Sequence, residues 1–177
     1  MPDIEDLVIL DAWQRMVPAD ACALRDAVGT RLTELDGTSE PASRLALSRR
    51  IGSGLTALGD FDSARRVLGE ALELALGLDD PRAEVAARIN LGDALRYAGD
   101  LEAAAAQYEP ALALARRAVP DRVDFALQHY GKHLIDAGRT GEAAVCLREA
   151  LRLRQAKGDR ALIESTVKAL GLIGCGP

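Results

Sequence analysis

Apolar residues recur three and four positions apart along most of the chain, the spacing of one face of an α-helix. The clearest stripe is Ala64, Val67, Leu68, Ala71, Leu72 and Ala75. No stretch sustains a period-two alternation, so the pattern predicts helices and no sheet. Helix ends are marked as well. Gly59-Asp60 and Gly99-Asp100 each set a helix-ending glycine before an aspartate that caps the next helix, and Gly138-Arg139-Thr140 offers Thr140 in the same role. Asp80-Pro81 and Gly158-Asp159 open further helices, with Pro81 at a first helical position where a missing N–H is harmless.

These signals repeat. Gly52, Gly92, Gly131 and Gly171 are 39 or 40 residues apart, and Gly59, Gly99 and Gly138 keep the same spacing, as do Pro41, Pro81 and Pro120. Three markers in one register predict stacked repeats. The units run over about 41–80, 81–119 and 120–158, with a half unit at 159–173, each a helix, a tight turn and a second helix. Pro110 falls inside a predicted helix, where units one and three carry Glu70 and Glu149, and predicts a kink tolerated on the outer surface.

Residues 1–37 lie outside the register and predict an N-terminal helical cap or degenerate repeat. Ile4, Leu7, Val8, Leu10 and Trp13 suggest one helix ending before Pro18, and Asp20 caps a second running to about Leu35.

The repeats resemble the tetratricopeptide repeat family. Unit two carries Leu91-Gly92-x2-Leu95, then Ala104-x3-Tyr108-x2-Ala111; unit one has Ile51-Gly52-x2-Leu55 and Ala64-x3-Leu68-x2-Ala71; unit three has Tyr130-Gly131-x2-Leu134 and Ala143-x3-Leu147-x2-Ala150. Leu170-Gly171 opens a fourth. The family's tryptophan is replaced by Ser48, Arg88, Leu127 and Val167, and the long period is similar to the repeats of kinesin light chains and of peptide-sensing bacterial regulators. The resemblance covers about residues 40–173. It implies an all-α solenoid of antiparallel helix pairs in a right-handed superhelix, binding a peptide or partner helix along a concave face lined by first helices.

Carried over unit by unit, that face comprises Arg49, Ser53 and Thr56; Asn90, Asp93, Arg96 and Tyr97; Gln128, His129, Lys132 and Asp136; and Lys168. Arg49, Arg96, Lys132 and Lys168 are its candidate anion donors. Arg49 and Asn90 fit the basic-and-amide clamp by which chaperone-binding relatives hold a terminal carboxylate, whereas Phe125 does not, and no such clamp is assigned. His129 and His133 lie four apart and could share a metal with Asp136, but without a His-Glu-x-x-His context they are groove residues first. Cys146 sits on an apolar helix side, Cys175 has no recognisable base, and no glycine-rich loop precedes a helix. The basic run Arg148, Arg152, Arg154, Lys157 and Arg160 is assigned to solvation of the convex face.

Composition narrows the partners. A net charge of −5, with nine acidic and three basic residues over 1–40, opposes binding to nucleic acid or anionic membranes. No apolar run approaches the roughly 20 residues of a membrane span, and the acidic Met-Pro-Asp-Ile-Glu-Asp start is unlike a secretory signal. Three scattered cysteines suit a reduced cytoplasm, and richness in Ala, Leu, Arg and Asp is compatible with a bacterial source. The expectation is a non-enzymatic adaptor or regulatory scaffold without cofactor or metal, with a protein or peptide as partner. A self-assembly module and a small metal-dependent enzyme using His129 and His133 are the alternatives. The apolar residues Leu162, Ile163, Val167, Leu170, Leu172 and Ile173 surround much of the last helix, which predicts a homodimer joined through residues around 162–175, in competition with a monomer whose tail folds back.

Overall fold

The computed structural model describes residues 2–173. Eight helices pack consecutively: α1 (Ala21–Gly37), α2 (Pro41–Leu58), α3 (Phe61–Gly77), α4 (Pro81–Tyr97), α5 (Leu101–Ala118), α6 (Val123–Asp136), α7 (Thr140–Lys157) and α8 (Arg160–Gly171). The pairs α2–α3, α4–α5 and α6–α7 are the tightest contacts, and each pair also packs on the next. The fold is an all-α solenoid.

Local chemistry sets the helix ends where the pattern placed them. Gly59, Gly99, Gly138 and Gly158 adopt φ of 79°, 87°, 73° and 77°, the left-handed conformation that reverses the chain after a helix. Asp60, Asp100 and Asp159 each accept a backbone N–H as N-caps, and Asp80 accepts two, from Arg82 and Ala83. Thr140 does not cap α7. Arg139 occupies the N-cap position without a side-chain bond and instead pairs with Glu142 at 2.7 Å.

The repeated glycines are where the two helices of a unit meet. A Cβ built on Gly92 would lie 2.8 Å from Tyr108, and one on Gly131 would lie 2.7 Å from Leu147. Leu68 fills the same space opposite Gly52. Leu68, Tyr108 and Leu147 are all fully buried, so each unit has one large side chain seated on one glycine. Burying such a side chain contributes on the order of 1.5–3 kcal/mol. Pro110 lies within α5 on its exposed side, and the helix continues through it.

The N-terminal segment departs from expectation. Asp20 does cap α1, through Cys22 and Ala23, but the preceding residues form no long helix. Ile4–Leu7 is a short 3-10 turn, followed by strands β1 (Val8–Leu10) and β2 (Met16–Pro18), paired antiparallel with Ile9 opposite Val17. Three-residue strands are too short to show an alternation. Asp11 builds the connection by accepting the N–H groups of Trp13 and Arg15, both at 2.9 Å. Ile4 is buried and fits beside Val28 over Gly54.

The basic run also divides. Arg148, Arg152, Lys157 and Arg160 are exposed, but Arg154 is 2% exposed. It donates to Asp124 (3.1 Å), to the Leu162 carbonyl (3.2 Å) and to Thr166 (2.8 Å), joining α6, α7 and α8. Lys157 reaches the same carboxylate. Asp124 is held below the usual carboxylate range, because Lys157 and Arg154 outweigh a burial that by itself would raise it.

Candidate functional site: the face shared by the first helices

The first helices of the units, α2, α4, α6 and α8, present one continuous face, and the sequence-derived candidates divide on it into three groups. At one end, Arg49, Ser53 and Asn90 form a chain: Arg49 Nε donates to Asn90 Oδ1 at 3.2 Å, and Asn90 Nδ2 donates to Ser53 Oγ at 2.9 Å. They line an open cavity of about 520 Å³ together with Val8 and Met16. Burial, helped by the charge of Arg122, lowers the pKa of Arg49.

In the middle lies a buried ionic cluster. Asp93 accepts from Tyr108 Oη at 2.6 Å and from Arg96 at 3.5 Å, and His129 Nδ1 lies 2.8 Å away, within ion-pair range but off the hydrogen-bond line. Arg96 also reaches Asp136 at 3.3 Å. Although burial by itself would raise Asp93, His129, Arg96 and Lys132 hold it far below the usual carboxylate range. Burial pushes Lys132 down to about 8 and, with Asp93 nearby, Tyr97 up to about 12. It also lowers both histidines.

The remaining candidates do not join this arrangement. Thr56 is buried and donates within its own helix, to the Gly52 carbonyl. Lys168 is exposed and enters none of these contacts; Ser165, one turn earlier, is the α8 residue that does. His133 is 2% exposed and stacks on Tyr130. Among the described residues no three His, Cys, Asp or Glu side chains come together in a metal-binding group. Cys22 and Cys146 are free, burial raises Cys146, and Cys175 lies outside the described residues.

What the sequence missed is the layer above this face. The β1–β2 hairpin lies across it. Met16 N–H donates to Tyr97 Oη at 2.8 Å, Lys132 Nζ donates to the Gln14 carbonyl at 3.2 Å, and Ser165 Oγ donates to Gln14 Oε1 at 3.2 Å. Arg15 pairs with Asp136 at 2.9 Å, and Arg50 pairs with Glu5 at 2.9 Å. Residues 5–16 thereby touch α2, α4, α6 and α8 in turn. The only local hints of this layer were β-branched Val8-Ile9 and Val17, and a turn-forming Asp11. Arg96 and Lys132, expected as anion donors, are 3% and 7% exposed, Lys132 beneath the Gln14 carbonyl. Reversing both charges would therefore disturb folding, not merely repel a ligand.

Comparison with known proteins finds a family likeness for part of the chain. Residues 43–117 match the family model described as Tetratricopeptide repeat. This stretch is a tetratricopeptide repeat array. No curated protein matches the sequence. Among solved structures, the crystal structure of BtubC (BKLC) from P. vanneervenii superposes with a TM-score of 0.71 at 20% identity, over 87% of this chain. The chain spans 66% of the length of that structure, and the likeness concerns the fold.

The signature tryptophan position, at Ser48 and Arg88 within the matched stretch and at Leu127 beyond it, shows how the packing is kept without tryptophan. Leu127 is fully buried and Ser48 is 1% exposed, its hydroxyl without a partner, while Arg88 pairs with Glu84 at 2.7 Å. Tetratricopeptide repeats serve as protein-interaction modules, and among the described residues no helix is long and apolar enough to cross a membrane.

Proposed function

We propose that the chain is a non-enzymatic adaptor or regulatory module whose face of α2, α4, α6 and α8 receives an extended segment of another protein. The observation that carries this reading is the hairpin itself. The face holds backbone by a phenol hydroxyl on the Met16 N–H, at the start of β2, and an ammonium on the carbonyl of Gln14, in the turn before it, contacts indifferent to side-chain identity and suited to a peptide. A reducing compartment such as the cytoplasm fits its free Cys22 and Cys146.

The test is site-specific photocrosslinking in the native host. A crosslinker replacing Ser53, on the face, is compared with one replacing Val145, which is 64% exposed on α7. Partner adducts from position 53 and not from 145 support the reading. The reverse pattern moves the partner to the outer surface.

A second reading, self-association through the C-terminal helix, is favoured by the exposure of Val167 (53%) and Leu162 (37%) on α8. Light scattering at micromolar concentration distinguishes it, a dimeric mass that Val167→Asp reduces to a monomer being the supporting result. Gly174 and Cys175, part of the segment expected to form that contact, and Gly176 lie outside the described residues.

A further inference from the structure

We infer that residues 8–18 are the resident occupant of this face, a strap that an incoming partner displaces, and that the partner is an extended segment bearing a carboxylate over Lys132. This rests on the peptide-binding reading above and names how the face is regulated and what it selects.

The strap is held lightly. Three of its apolar side chains, Ile9, Leu10 and Trp13, are 51%, 45% and 57% exposed and contribute little burial to its docking. Its ion pair to the face, Arg15–Asp136, is solvated on both sides, with side-chain exposures of 41% and 23%. Two three-residue strands are not stable by themselves. What remains is limited: Val8 and Met16 partly buried against the first core, Arg15 over the Tyr97 ring at 5.4 Å, and hydrogen bonds to Tyr97, Lys132 and Ser165. The helices underneath bury most of their own cores between one another, and the strap adds only Val8 and Met16 at the edge of one of them.

The strap is also an incomplete partner for the surface below it. Lys132 is buried with a neutral carbonyl as its hydrogen-bond partner, and no carboxylate lies within 4.0 Å among the described residues. Arg96 Nε and Gln128 Oε1 are buried without any hydrogen-bond partner. A buried donor or charge left short of partners is costly. The strap brings a further cation, Arg15, while its one nearby acid, Asp11, is turned back onto its own backbone. A segment presenting a carboxylate at this point pairs with Lys132 as the strap cannot, and charge complementarity of that kind selects partners. Because the strap is tethered, it competes at an effective concentration in the millimolar range.

The experiment uses the full chain and two fluorescein-labelled probes: the 11-residue peptide of sequence 8–18, and the same peptide with Gln14→Glu. Each is titrated by fluorescence anisotropy into the unaltered protein, into Asp11→Ala/Arg15→Ala, and into Gln14→Pro. The last is incompatible with the φ of 58° at Gln14 and disables the strap without touching a helix. Hydrogen exchange at the Met16 amide reports independently whether the strap is docked. The expected result is a protected Met16 amide in the unaltered protein and at least tenfold tighter peptide binding once it is freed. The Gln14→Glu probe should bind at least threefold tighter than its parent, a preference lost in Lys132→Met. Equal affinity for unaltered and strap-loosened proteins overturns the strap as a gate. No preference for the glutamate probe overturns the carboxylate selection. A freed Met16 amide with no peptide binding at all overturns the peptide-binding reading itself.

Discussion

Tyr108 closes over Gly92: its ring would stand 2.8 Å from any Cβ at that glycine, and its hydroxyl donates to the neighbouring Asp93 at 2.6 Å. One side chain thus fills the gap between α4 and α5 and satisfies a buried carboxylate beneath the candidate site. Packing and site electrostatics share this residue.

Gly92→Leu should destabilise the protein by about 1–3 kcal/mol or more, since Tyr108 has nowhere to retreat. Gly69→Ala is the internal control. Nothing lies within 4 Å of a Cβ there, and Ala is the better helix former, so it should stabilise by up to about 1 kcal/mol. Denaturant midpoints of the two variants check the contrast, and equal stability would show that the helices do not approach closely at Gly92.

Lys132 makes a pH prediction. Its folded pKa of about 8 lies below its ordinary 10.5, so between those values the unfolded chain binds more protons than the folded one. Stability contributed at this site therefore rises as pH increases from 8 to 10.5, by on the order of 3 kcal/mol. Lys132→Met should melt higher than the unaltered protein at pH 7, with the gap closing by about pH 10. Thermal melts across that range decide the matter, and a constant gap would show that Lys132 is not buried as a charge.

Arg154→Ala should cost about 3 kcal/mol, because Asp124 would be left buried with only Lys157 to balance it. Arg152→Ala, on the exposed side of the same helix, should stay within about 0.5 kcal/mol. Chemical denaturation of both variants tests whether the basic run is two kinds of residue, as their burial indicates.

Pro110→Ala should stabilise, by up to about 3 kcal/mol, since an exposed mid-helix proline forfeits a backbone hydrogen bond and nothing packs on its outer side. Unchanged stability would mean that α5 has already relaxed around the ring.

What the sequence determined by itself was whatever is encoded at short range. The αL glycines, the aspartate caps and the three- and four-residue apolar spacing are local, and they located helices α2 to α8. The seating of Leu68, Tyr108 and Leu147 on Gly52, Gly92 and Gly131 also followed, because each pair lies 16 residues apart within one repeated hairpin of helices. What lies over the shared face was decided only by tertiary structure. Met16 meets Tyr97 across 81 residues, Gln14 meets Lys132 across 118 and Ser165 across 151. No periodicity connects such positions. Lys132 looks like a surface charge on its own helix, and is a buried one beneath the turn between two strands too short to betray themselves. Local spacing fixes which face of a helix a residue occupies; only the folded chain decides whether water or another segment of it covers that face.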